Sequence, residues 1–146
     1  MTFYEAEIKR IQKICYSNDK QINTVVATRN FIYNNFEKEL NLDYLSHIHF
    51  TSKYHLLRLF KRYYGITPKQ YLIIRRLEKA KEYLKNGMSV SEACYNVGFE
   101  TPSSFSTLFK NKIGLSPIEF QKEQLSQNDS HKYFITCANK KMKNES

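Results

Sequence analysis

Tryptophan is absent, and 146 residues include only four glycines, three prolines and three cysteines. So little glycine and proline leaves few places for the tight turns that a sheet of hairpins requires. Cys15, Cys94 and Cys137 are odd in number, widely spaced and without a CxxC pair, which excludes a disulfide framework and a zinc finger. No stretch approaches the roughly 20 apolar residues of a membrane span. The N-terminus MTFYEAEIKRIQ is charged within five residues, unlike a secretory signal. There is no Gly-rich phosphate loop, no Ser/His/Asp order and no Cys/His nucleophile, so catalysis has no residues to rest on. His47, His49 and His55 crowd one region, but no two stand i, i+4 on one helix, and no cysteine is near. The expectation is a cytoplasmic protein that is not an enzyme, with no cofactor, no metal and no membrane association.

What is present is positive charge and helical periodicity. Lys and Arg number 23 against 14 Asp and Glu, a formal net charge of +9 that favours polyanionic partners. Hydrophobic residues at 41% and aromatics at 14% suffice for one modest core or two very small ones. The apolar spacing predicts an all-α fold with helices at 22–39, 42–48, 52–63, 68–86, 90–97, 102–112 and 117–124. Helix starts are explicit: Thr67-Pro68 and Ser116-Pro117 each place a hydroxyl at the N-cap and proline next, with Gln70 and Glu119 completing a capping box. Ser89 with Glu92 repeats the box, and Thr101-Pro102 opens a further helix. Residues 1–21 read as an extension and possible amphipathic helix; the chain turns polar after Ser126.

LFKRYYGITPKQY at 59–71 returns 49 residues later as LFKNKIGLSPIEF at 108–120. The match extends upstream, with Leu45, Ile48, Phe50 and Leu56 meeting Cys94, Val97, Phe99 and Phe105. Each copy therefore reads as a short helix, a tight turn and a second helix packed back on the first, a helix-turn-helix whose second helix can lie in the major groove of DNA. In copy one, Leu56, Leu59, Phe60 and Tyr63 are expected inside, leaving Lys53, Tyr54, Leu57, Arg58 and Lys61 outside. In copy two, Phe105, Leu108 and Phe109 are expected inside, leaving Ser103, Ser106, Thr107 and Lys110. Arg58 can donate two hydrogen bonds to one guanine, Tyr54 and Leu57 suit a thymine methyl, and Ser or Thr serves either base. Lys53, Lys61 and Lys110 suit phosphates, which set register without reading sequence. With Ser52 and Pro102 at the helix starts, these residues form the candidate DNA-contacting set. The helix 68–86 between the copies, ~28 Å long, compares with ~34 Å between successive major-groove faces. One chain could thus read a non-palindromic site as a monomer.

The block from about Val25 to Glu123 resembles the DNA-binding domain of AraC/XylS-type transcription regulators. Its second half, SVSEACYNVGFETPSSFSTLFKNKIGLSPIEF, is similar to the family signature, and SKYHLLRLFK resembles the recognition helix of the short stand-alone members. The resemblance implies seven helices in two helix-turn-helix subdomains joined by a long linker helix. It also implies that Tyr54, Leu57 and Arg58 face bases. Thr107 stands where stand-alone members often carry arginine, implying weaker reading by the second unit. His49 lies opposite Gly98, filling with a bulkier side chain a turn that favours positive φ. Residues 1–24 are too short for the sensory domain of most members, so small-ligand binding is not carried over.

The resulting expectation is a sequence-specific transcription regulator, an activator that binds double-stranded promoter DNA and touches RNA polymerase. Its segments would be an extension at 1–21, subdomains at 22–66 and 87–124, a linker helix at 67–86 and a tail at 125–146, with dimerisation through 1–21 open. The alternative is a non-specific, architectural or protein-interaction module on the same fold.

Overall fold

The computed structural model describes residues 2–129, and all side chains within them except those of residues 14–17. Among the described residues the regular structure is entirely helical. Six helices, α1 (Phe3–Asn34), α2 (Leu42–Ile48), α3 (Lys53–Tyr64), α4 (Pro68–Lys85), α5 (Val90–Asn96) and α6 (Pro102–Ile113), precede α7 at 117–129. The chain divides into two compact units after Arg75. The all-α fold, with two helix-turn-helix units joined by α4, is the one that the sequence periodicity requires.

Two helices, α1 and α7, differ from expectation by more than a residue. The periodicity separates a segment 1–21 from a helix at 22–39, whereas α1 runs unbroken for 32 residues. Ser17, Asn18 and Asp19 are weak helix formers, but each costs only tenths of a kcal/mol in a helix interior. A Thr2–Glu5 capping box holds the start: Thr2 Oγ1 accepts from the Glu5 N–H at 3.4 Å, and Glu5 Oε2 from the Thr2 N–H at 3.1 Å. The helix also stops early, because Asn35 donates its N–H and its side-chain Nδ2 to the Phe31 carbonyl, freeing Leu40 to turn into the core. At the far end, α7 continues past 124 to 129. The rest of the polar tail, with Cys137, lies outside the described residues.

In the first unit, Ile32 of α1, Leu45 of α2, Leu56 and Phe60 of α3 and Leu72 of α4 form one buried cluster together with Leu40. Phe60 is central: Tyr64 lies 4.8 Å and Tyr71 6.0 Å from its ring. In the second unit the same scheme is built from Leu77, Ala80 and Leu84 of α4, Ala93 and Cys94 of α5, and Phe105 and Phe109 of α6. Phe99, Phe105, Phe109 and Phe120 stack in sequence at centroid spacings of 5.3–5.6 Å. Phe105 and Phe109, fully buried, are worth about 3–5 kcal/mol each by truncation.

The repeated LFK…G…P segment does the same structural work in each unit. Gly65 and Gly114, at φ 75 and 91, end α3 and α6 in the left-handed conformation that glycine adopts without strain. Thr67 and Gln70, then Ser116 and Glu119, exchange reciprocal capping bonds of 2.9–3.2 Å. Pro68 and Pro117 are buried as the first residues of their helices.

Candidate nucleic-acid interface

Ser52 caps α3 by accepting from the His55 N–H at 3.2 Å, and Thr101 caps α6 by accepting from the Ser104 N–H at 3.3 Å, with Pro102 next. Burial then fixes how each helix is rolled. With Leu56, Leu59 and Phe60 inside, the i, i+3, i+4, i+7 set Tyr54, Leu57, Arg58 and Lys61 lies along the opposite side of α3. Tyr54, Arg58 and Lys61 are exposed and Leu57 half-buried. In α6, Phe105 and Phe109 are inside, and Ser103, Ser106, Thr107 and Lys110 occupy the equivalent side, with Ser106 half-buried and the others exposed. The structure thus gathers the candidates of each unit on one helix face.

The two faces are chemically unequal. On α3 a planar guanidinium, a phenol and an ammonium project beside Leu57. Lys53 is not a free cation: its Nζ pairs with Asp43 of α2 at 3.4 Å and lies 5.5 Å from the Tyr54 ring centroid. It therefore steers the Tyr54 ring as much as it offers charge. On α6 the Thr107 hydroxyl donates back to the Ser103 carbonyl at 2.9 Å, leaving mainly acceptor capacity outward. Exposed Arg62, one turn beyond Arg58, widens the basic face of α3. Its i+4 spacing from Arg58 was a legible signal that the sequence reading did not use.

Three expectations about packing are corrected. Tyr63 is exposed rather than inward, because its place in the ring stack with Phe60 is filled by Tyr64. Leu108 is only half-buried, whereas Phe105 and Phe109 are fully buried. The largest change is in the turn before α3. His49 has φ −97, and Phe50 instead takes the left-handed value of 53. In copy two the left-handed residue is Gly98, at φ 99. The turns share a pattern one residue out of phase: Thr51 N–H bonds the Ser46 carbonyl at 3.0 Å, and Phe99 N–H the Cys94 carbonyl at 3.1 Å. Phe99 consequently packs on Phe105, whereas Phe50 stands 97% exposed.

Beside Phe50, a shallow groove of about 500 Å³ is lined by Asp19, Lys20, Asn23, Thr24 and Ala27 of α1 and by Ile48 and His49. The His49 ring meets Phe31 edge-on at 6.2 Å, and its Nε2 is buried without a hydrogen-bond partner. That desolvation lowers its pKa from the ordinary 6.5. In the second unit, burial pushes the Cys94 thiol up, as fits a small core hydrophobe. Among the described residues no three His, Cys, Asp or Glu side chains come together to hold a metal. No described helix is long and apolar enough to cross a membrane.

Short helix, turn and capped second helix with a polar outer face, present once in each unit, define a helix-turn-helix protein, the class that reads DNA with its second helix. The helix-turn-helix domain family matches residues 45–123. The chain belongs to it, as an AraC/XylS-type regulator with a DNA-binding helix-turn-helix domain. It is 33% identical over 98 residues to the probable transcriptional regulator LumQ of Photobacterium leiognathi, covering 66% of this chain and 40% of LumQ. The C-terminal domain of AraT, a response regulator from Geobacillus stearothermophilus, superposes with TM-score 0.67 at 30% identity, covering 68% of this chain and 84% of that one. The DNA-binding domain of AdpA, a global transcriptional factor solved with a target DNA, shares the fold with TM-score 0.68 at 21% identity, covering 70% and 94%. The chain spans about two fifths of the length of curated relatives such as LumQ.

Proposed function

We propose that this chain is a cytoplasmic, sequence-specific regulator that lays α3 and α6 in successive major grooves of one duplex and activates transcription by touching RNA polymerase at the promoter. The observation that carries the reading is the equivalent outer face on α3 and α6, one in each unit, with α4 continuous between them. On α3, Arg58 reads a guanine edge, Tyr54 and Leu57 contact a thymine methyl, and Lys61 meets a phosphate. On α6, Ser103, Ser106 and Thr107 contribute fewer and weaker contacts, and Lys110 meets a phosphate. Ser52 and Pro102 bring the helix N-termini, whose dipoles favour anions, toward the backbone. Lys53 acts chiefly by holding Tyr54. That LumQ is described as a transcriptional regulator, and that AdpA was solved on a target DNA, supports the reading.

Selection from random duplexes followed by competition binding tests it. The expected result is a preferred asymmetric site, with Arg58→Ala losing discrimination at about one base pair, worth ~1–3 kcal/mol. The Thr107 hydroxyl, its proton engaged by the Ser103 carbonyl, favours a second reading, an architectural binder on the same fold. Equal affinity for all duplexes, reduced by Arg58→Ala without any change of preference, would establish that reading instead.

A further inference from the structure

Lys53 is the first residue of α3, and no acidic residue stands in that helix's first turn. A cation there meets the positive end of the helix dipole, and the acid that offsets it comes from another element. Asp43 of α2 pairs with the Lys53 Nζ at 3.4 Å, and the ammonium in turn lies 5.5 Å from the Tyr54 ring centroid. α2 is held against α3, because Leu45 and Leu56 share one buried cluster. Tyr54 itself is 69% exposed, so packing alone does not fix its ring. Copy two carries no such chain of contacts: Pro102 and Ser103 stand at the positions of Lys53 and Tyr54.

We propose that Asp43 is a positioning residue for base recognition, acting through Lys53: it keeps the ammonium beside the Tyr54 ring and off the DNA backbone. The inference rests on the DNA reading above and adds to it a residue outside α3 and outside the candidate set. The ammonium has two anions to choose between. On that reading the α3 N-terminus approaches a phosphate, so a free lysine beside Ser52 would bind there and strengthen every duplex alike. Paired with Asp43, it gives up that nonspecific contact. It instead limits the rotamers of Tyr54, whose contact with a thymine methyl depends on how the ring is turned. Selectivity rises as general affinity falls. The side chains are 75% exposed for Asp43 and 43% for Lys53, so the effect is modest and screened by salt.

Competition binding with the full chain on its selected duplex tests it. Tyr54→Ala first identifies the base pair that this ring reads. Asp43→Asn should lower discrimination at that base pair about two- to five-fold. Discrimination at the Arg58 base pair should stay unchanged, which checks that α3 is folded and seated. The freed Lys53 should also raise the slope of log affinity against log salt by about one. Lys53→Met should lose the same discrimination and leave the slope as it is, since this lysine is engaged with Asp43. Adding Asp43→Asn to Lys53→Met should change discrimination no further, and Asp43→Glu should behave as the unsubstituted chain. Unchanged discrimination in Asp43→Asn overturns the proposal, with or without a higher slope, Asp43 then being at most a charge that repels DNA. So does a further loss when Asp43→Asn is added to Lys53→Met, a Lys53→Met chain whose slope falls, or a Tyr54→Ala chain with no altered base pair. Failure of the DNA reading looks different: the unsubstituted chain then prefers no duplex at all, and this proposal falls with it.

Discussion

Phe50 holds a left-handed backbone that costs a β-carbon-bearing residue about 1–2 kcal/mol, and its ring, almost wholly exposed, recovers none of this by burial. Glycine would remove the strain and return roughly half of the gain as unfolded-chain entropy. Phe50→Gly should therefore stabilise the first unit by about 0.5–1 kcal/mol, read as a higher urea midpoint with unchanged m-value. Its neighbour makes stability depend on pH. The unfolded chain's imidazole at position 49 takes a proton near 6.5, while the buried one resists protonation until a lower pH. Stability is thus full above 6.5 and falls as the pH drops through the lowered folded value. Urea titrations at pH 8 and pH 5 should show the loss, and His49→Gln should reduce it. At this scale the sequence located the unusual turn, but put the positive φ on His49. The 49-residue offset could not show that α2 ends one residue later than α5, a shift that moves every turn residue by one.

At the scale of elements, most of the fold was written in local signals. Hydroxyl caps, prolines at first helical positions and glycines just past helix ends are short-range chemistry, and α3 to α6 begin and end close to where those signals stand. The face of α3 that carries Tyr54, Leu57, Arg58 and Lys61 was legible for the same reason: Leu56, Leu59 and Phe60 fix the roll of the helix. Pairings between distant residues left no such trace. Nothing in the sequence joins Lys53 to Asp43, with which it pairs at 3.4 Å. Gln121 drew no notice, yet its amide donates to the Leu84 carbonyl at 3.1 Å and the Met88 carbonyl at 2.7 Å, tying α7 to the end of α4. The Leu84 carbonyl also accepts from the Gly87 N–H at 3.1 Å, so Gln121 adds a second donor at the end of α4. Gln121→Ala should cost the second unit about 1–2 kcal/mol. Hydrogen exchange should locate the loss, with faster exchange in α5 and α6 and unchanged protection in α3.

For the whole molecule, the proposed DNA reading makes the net charge of +9 act through a few placed cations rather than through the total. Nonspecific attraction to DNA comes from counterions released at each phosphate contact, which contributes about 0.9 to the slope of log affinity against log salt. Lys61 on α3 and Lys110 on α6 occupy equivalent positions, both exposed, and are proposed to meet phosphates rather than bases. If both helices engage one duplex, Lys61→Ala and Lys110→Ala should each lower that slope by about one, and the pair together by about two. Affinity should fall evenly across all sequences, so the preferred site stays the same, in contrast to Arg58→Ala. Binding isotherms on the selected duplex between about 50 and 200 mM salt measure this directly. A slope that responds to Lys61 and ignores Lys110 would mean that α3 alone meets the DNA, and that α6, with its serine-rich face, serves as scaffold.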